Sequence, residues 1–147
     1  MSRAANKLIH WVIEGVFAYG ERPGFPSHTV PARTVDLWLA EAKRQGVRSV
    51  INMLSDEEMG VYYRHLGQPL IEYYSDAGME VRQVSYEETG VVLPEQIIID
   101  RVRTAFHCLP HPVIIHCSAG EERSKLAVDA ILEEWDGDAR KPLGRGR

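Results

Sequence analysis

Residues Val113 to Lys125 read VIIHCSAGEERSK. The β-branched run Val113–His116, fenced by Pro112, has the pattern of a short buried strand. From Arg123 to about Trp135 the apolar residues Ala127, Ala130, Ile131 and Trp135 fall at helical spacing and are expected to face inward. Cys117 to Arg123 therefore joins a strand to a helix. In open α/β folds such junctions, beyond the carboxyl ends of the strands, are where ligands bind.

Backbone N–H groups at a helix start lack intrahelical partners and carry the positive end of the dipole, so this loop suits an anion. Gly120 allows a close backbone approach that a side chain would block. The same fields favour a thiolate at Cys117 over the neutral thiol. Arg123 adds a planar fork able to hold two phosphate oxygens. The hydroxyl of Ser124 can donate to the sulfur and help it leave in a second step, and His116 suits ordering the loop by hydrogen bonding better than acting as a base. A nucleophile, an oxyanion cradle formed by Ser118, Ala119, Gly120, Glu121, Glu122 and Arg123, and a clamp thus lie within a few residues of one another. That pattern is expected to bind a phosphoryl group and attack it.

Working outward, the rest of the chain alternates strands and helices. Trp11–Ile13 and Val16–Tyr19 read as short strands about Gly15, followed by the Pro/Gly-rich loop ERPGFPSHT. A helix is predicted from about Pro31 to Gln45, with Val35, Trp38, Leu39 and Ala42 on one face and Gly46 closing it. Val47–Leu54 reads as a buried strand and Asp56–Asp76 as a helix or helix pair stopped by Gly78. Met79–Ser85 alternates with period two, YEETGVVL reads as a loop, and a helix follows from about Pro94 to Cys108, with Ile98, Val102, Ala105 and Phe106 inward. This order predicts an α/β fold: a central, largely parallel sheet flanked by helices, in one domain over residues 1–136, with a flexible basic tail over 137–147.

The bulk numbers agree with one soluble domain. The chain has 147 residues, 44% hydrophobic and 26% charged. No stretch reaches the roughly 18 apolar residues needed to cross a bilayer, and Glu14 comes too early for a signal peptide, so no membrane partner and a cytoplasmic location are expected. A net charge of −4 with no basic stripe argues against nucleic acid as a partner. Cys108 and Cys117 are too few for a disulfide framework, which leaves Cys117 available as a thiolate. Cys108 is expected to pack on its helix, a Cys108–Cys117 disulfide being the alternative.

His116-Cys117-Ser-Ala-Gly120-Glu-Glu-Arg123-Ser124 resembles the HCxxGxxR[ST] signature of the protein tyrosine phosphatase superfamily, with five residues between Cys and Arg. VRSVINML, MEVRQVSYEETGVVLPEQI and VIIHCSAGEERS resemble its dual-specificity branch in order and spacing, over roughly residues 11–135. The resemblance implies a compact cysteine-phosphatase fold that is short at the C-terminus. It implies hydrolysis of phosphomonoesters, in a phosphorylated protein or a small molecule, through a cysteinyl-phosphate intermediate, with no metal and no cofactor. Asn52 resembles a position that braces the phosphate loop.

Two departures matter. The superfamily's general acid is usually an aspartate about 30 residues before the cysteine, whereas this chain has YEETGVVLPEQ there, with Glu88 at the matching position beside Glu87. Glu122, immediately before Arg123, matches an acid found in some bacterial and lipid-directed members; Glu88, Glu122 and no dedicated acid all stay open. After Ser124 the chain has Lys125 and one helix where relatives have Gly and two or more, so the N-terminal segment or a second subunit is expected to close the core, and a homo-oligomer is one expectation. Alternatives to an enzyme of this type are a non-catalytic phosphate-binding module, for which Glu121 and Glu122 argue, and rhodanese-like sulfur chemistry, against which the five-residue spacing counts. A metal site at His107, Cys108, His111, His116 and Cys117 lacks a zinc spacing. Tyr62, Tyr63, Tyr73 and Tyr74 are expected to pack helices.

Overall fold

The computed structural model describes residues 8–118 and 122–139. Along the chain come β1 (His10–Ile13), β2 (Phe17–Gly20), α1 (Ala32–Arg44), β3 (Ser49–Asn52), α2 (Asp56–Tyr62), α3 (Leu70–Asp76), β4 (Glu80–Gln83), β5 (Glu87–Glu88), β6 (Val91–Val92), α4 (Glu95–Cys108), β7 (Val113–His116) and α5 (Glu122–Ala139). Five strands form one sheet in the order β1-β2-β7-β3-β4. The pair β1–β2 is antiparallel and the other neighbours are parallel. The expected α/β fold with a largely parallel sheet and flanking helices is the fold observed.

Strand β7 is central because it is apolar on both faces, as a strand covered on both sides must be. Ile114 enters a cluster with Ala18, Val35, Trp38, Leu39 and Tyr74. Val113, Ile115 and Cys117 enter the opposite cluster with Phe17, Ile98, Val102 and Phe106. In register, Gly20 and Asn52 both stand level with His116. Three parallel strands thus end together directly before Cys117. Gly20 is required there, since a Cβ would collide with the Leu8 carbonyl oxygen.

Several expectations need correction. The alternating segment Met79–Ser85 is a strand only over Glu80–Gln83, an edge strand whose residues are largely exposed. The stretch read as a loop, YEETGVVL, contains the hairpin β5–β6, pairing Glu87 with Val92 and Glu88 with Val91. Its two-residue turn has positive φ at Thr89 (51°) and Gly90 (80°), the geometry that matches strand twist in tight hairpins. Trp135 is 39% exposed rather than inward. Glu134 already meets His107 near the end of α4, so Trp135 lies where the neighbouring helix runs out. Cys108 is exposed, because the buried stripe of α4 runs through Ile98, Val102, Ala105 and Phe106 and leaves it aside. The expectation of a helix or helix pair over Asp56–Asp76 holds in its second form, as two short helices, α2 and α3. Helix α5 starts at Glu122 and continues to Ala139, past residue 137 where the tail was placed. Residues 140–147 lie outside the described ones.

Candidate active site

Cys117 follows the last residue of β7 and is 2% exposed. Ser124, fully buried in the first turn of α5, donates its hydroxyl to Cys117 Sγ at 3.2 Å. Strand end and helix start therefore bring the predicted nucleophile and its hydroxyl partner together. Both cysteines are free.

Arg123 is held by a residue that sequence reasoning did not select. Its Nη1 and Nη2 donate to Glu58 Oε1 and Oε2 at 2.7 and 3.0 Å, and Nη1 also reaches the Met53 carbonyl at 3.3 Å. Glu58 simultaneously closes the N-terminal capping box of α2, accepting from Ser55 N while Ser55 Oγ accepts from Glu58 N. Burial alone would raise the Glu58 carboxyl, but hydrogen bonds from Arg123 and Ser55 outweigh it and hold it below the usual range. The hydrogen bond to Glu58 likewise holds the Arg123 proton more firmly. The guanidinium carbon of Arg123 also lies 5.5 Å from the Tyr86 ring centre. Burial raises the Tyr86 phenol and the Arg123 charge opposes this.

His116 is fully buried on the other face of the sheet, edge-on to Trp38. Its Nδ1 lies 3.3 Å from the Cys117 carbonyl and its Nε2 2.8 Å from the Tyr74 hydroxyl. A carbonyl only accepts, so Nδ1 carries the proton and Nε2 accepts from Tyr74. Burial pushes the imidazole down to about 4. It is a neutral brace on the peptide of Cys117.

Asn52 is buried beside His116, yet its side chain receives the Leu54 N–H at 3.0 Å and meets Met59 Sδ at 3.1 Å. Among the described residues it shapes the turn that carries Glu58 rather than touching Ser118. Ser118 accepts twice from Arg22, at its carbonyl from the backbone N–H (3.1 Å) and at Oγ from Nε (3.2 Å). Ala119, Gly120 and Glu121 lie outside the described residues.

The two candidate acids lie on different elements. Glu122 is exposed on the first turn of α5. Glu88 lies on β5, receives Arg101 Nη1 at 2.6 Å, and lines a surface cavity of about 660 Å³ with Ser55, Asp56, Gln83, Ser85 and Arg101. Of the residues missed, Glu58 had a legible signal, the S-x-x-E spacing of Ser55 and Glu58 before a helix. Arg22, inside a Pro/Gly-rich loop, had none.

No protein-family model matches the chain, and neither does any curated protein. Solved structures do. A DUF442 protein from Shewanella putrefaciens CN-32 superposes with TM-score 0.62 at 15% identity, over 95% of this chain and 78% of that one. A mutant form of Tk-PTP gives 0.57 at 17%, over 88% and 73%. The kinase-associated phosphatase, solved with serine in place of its catalytic-site cysteine, gives 0.54 at 16%, over 80% and 74%. The chain accordingly has the α/β fold shared by these phosphatase structures.

Proposed function

We propose that the protein is a cysteine-dependent phosphatase acting on phosphomonoesters. The observation that carries this is the Ser124 hydroxyl donating to the buried sulfur of Cys117 at the start of a helix, with Arg123 one residue away and fixed by Glu58. In the proposed reaction the Cys117 thiolate attacks phosphorus, the bond to the leaving oxygen breaks, and a carboxylic acid protonates that oxygen. Water then attacks the cysteinyl phosphate, and sulfur departs as a thiolate stabilised by Ser124. Backbone N–H groups of residues 118–123 and the Arg123 fork would carry the charge on the phosphoryl oxygens.

The acid is proposed to be Glu88 or Glu122, and the substrate a phosphorylated protein or a small phosphomonoester. The test is hydrolysis of p-nitrophenyl phosphate between about pH 4.5 and 8 with EDTA present. Turnover by the wild type and at least about a 1,000-fold loss in Cys117→Ser is the expected result; turnover surviving that change overturns the mechanism. Of Glu88→Gln and Glu122→Gln, the one that removes the alkaline fall of the kcat profile marks the acid.

A second reading, an oxyanion-binding module without turnover, is favoured by one observation: Glu58 already occupies both Nη atoms of Arg123. Phosphate binding by a reduced, folded wild type that hydrolyses nothing would select it.

A further inference from the structure

Helix α2 has seven residues, and none of them is fully buried. Its contacts with the rest of the chain are instead polar and aromatic. Glu58 and Tyr62 stand four residues apart on it, so they lie one turn apart on the same face. Each meets an arginine. Glu58 holds both Nη atoms of Arg123. The half-buried Tyr62 carries the guanidinium of Arg22, whose central carbon sits 3.8 Å from its ring centre, against 5.6 and 5.9 Å for the rings of Phe25 and Tyr63.

Arg22, in the loop after β2 and 2% exposed, passes this contact on to the residue after Cys117. Its backbone N–H donates to the Ser118 carbonyl at 3.1 Å and its Nε to Ser118 Oγ at 3.2 Å. Nη2 donates to the Ser27 carbonyl at 2.7 Å. The loop itself is tied to the end of α2, where the Tyr63 hydroxyl donates to the Pro23 carbonyl at 2.7 Å and the Val30 N–H to the Tyr62 carbonyl at 2.9 Å. A guanidinium lying on a ring face loses the attraction of that face when it tilts away. Tyr62 therefore sets where Nε points, and Nε sets the Ser118 side chain. Ser118 is bonded directly to Cys117, whose own carbonyl is braced by His116.

We propose that Tyr62 is a positioning residue for the reaction of Cys117, acting through Arg22 on Ser118, so that one face of α2 orients both the chain beside the nucleophile and the Arg123 fork. The proposal rests on the phosphatase reading. Catalysis by positioning is sensitive to small displacements, so a contact two residues removed from the sulfur is expected to show in turnover.

The experiment measures kcat and KM for p-nitrophenyl phosphate, together with the melting temperature, for wild type, Tyr62→Leu, Tyr62→Phe, Arg22→Met and the double variant Tyr62→Leu/Arg22→Met. Tyr62→Leu is expected to lower kcat about tenfold with KM within about twofold. Tyr62→Phe, which keeps the ring face, should recover most of that loss. In the double variant Tyr62→Leu should add almost nothing to the effect of Arg22→Met, because the ring then has no guanidinium to hold. A merely structural tyrosine would not give that non-additivity. Wild-type kcat in folded Tyr62→Leu overturns the proposal, as does a loss in the double variant equal to the product of the two single losses. Where Tyr62→Leu or Arg22→Met does not fold, Arg22→Lys decides, since it keeps the charge and loses the Nε bond to Ser118: an unchanged kcat overturns the proposal, and a loss of about tenfold in kcat at unchanged KM supports it. Turnover that is lost in Cys117→Ser and kept in Tyr62→Leu overturns this proposal alone. A wild type without turnover overturns the phosphatase reading and this proposal together.

Discussion

His116 shows how one buried side chain makes the whole protein sensitive to acid. Its imidazole is neutral down to about pH 4 in the folded chain, against an ordinary 6.5 when unfolded. Between those values the unfolded chain binds a proton that the folded chain refuses, so stability falls as pH drops from 6.5 towards 4 and the loss then levels off. The size is on the order of 3 kcal/mol. Urea unfolding at pH 7.5 and pH 4.5 should show this loss in wild type and a clearly smaller one in His116→Gln; equal losses would remove His116 as the cause. The residues most legible in the sequence were those whose chemistry is contiguous, Cys117, Arg123 and Ser124. Tyr74, Glu58 and Arg22 bond to His116, Arg123 and Ser118 from 42, 65 and 96 positions away. Sequence separations of that size leave no spacing to read.

At the level of elements, periodicity located what packing enforces and missed what local strain permits. Helices α1 and α4 were legible because Val35, Trp38, Leu39 and Ala42, and Ile98, Val102, Ala105 and Phe106, form continuous buried stripes. The hairpin β5–β6 was not, because its strands are two residues long and its turn begins with Thr89 in place of the usual Asn or Asp. A β-branched residue at φ 51° carries strain of about 1 kcal/mol. Thr89→Asn or Thr89→Gly should therefore raise stability by roughly that amount, read as a melting-temperature increase of several degrees. An unchanged or lowered melting temperature would show that the Thr89 hydroxyl bond to the Glu88 carbonyl offsets the strain. Trp135 was misjudged for a different reason: helical spacing says which face a residue lies on, and only the length of the neighbouring helix says whether that face is covered.

For the molecule as a whole, the sheet separates two apolar clusters and β7 contributes to both. Ile114 is fully buried on the α1 side. Ile114→Ala should cost about 3 kcal/mol in urea unfolding, and a single transition followed by both fluorescence and far-UV circular dichroism would show that the two clusters melt as one unit. The strand order has a further consequence during synthesis. Strand β7 fills the middle of the sheet yet is the last strand made among the described residues, so the slot between β2 and β3 stays empty until about residue 116 has left the ribosome. Until then two parallel edges stand open to foreign strands. The segment that carries Cys117 is also the one that closes them, and a growing chain gains that buried cysteine only at the moment when it stops being sticky.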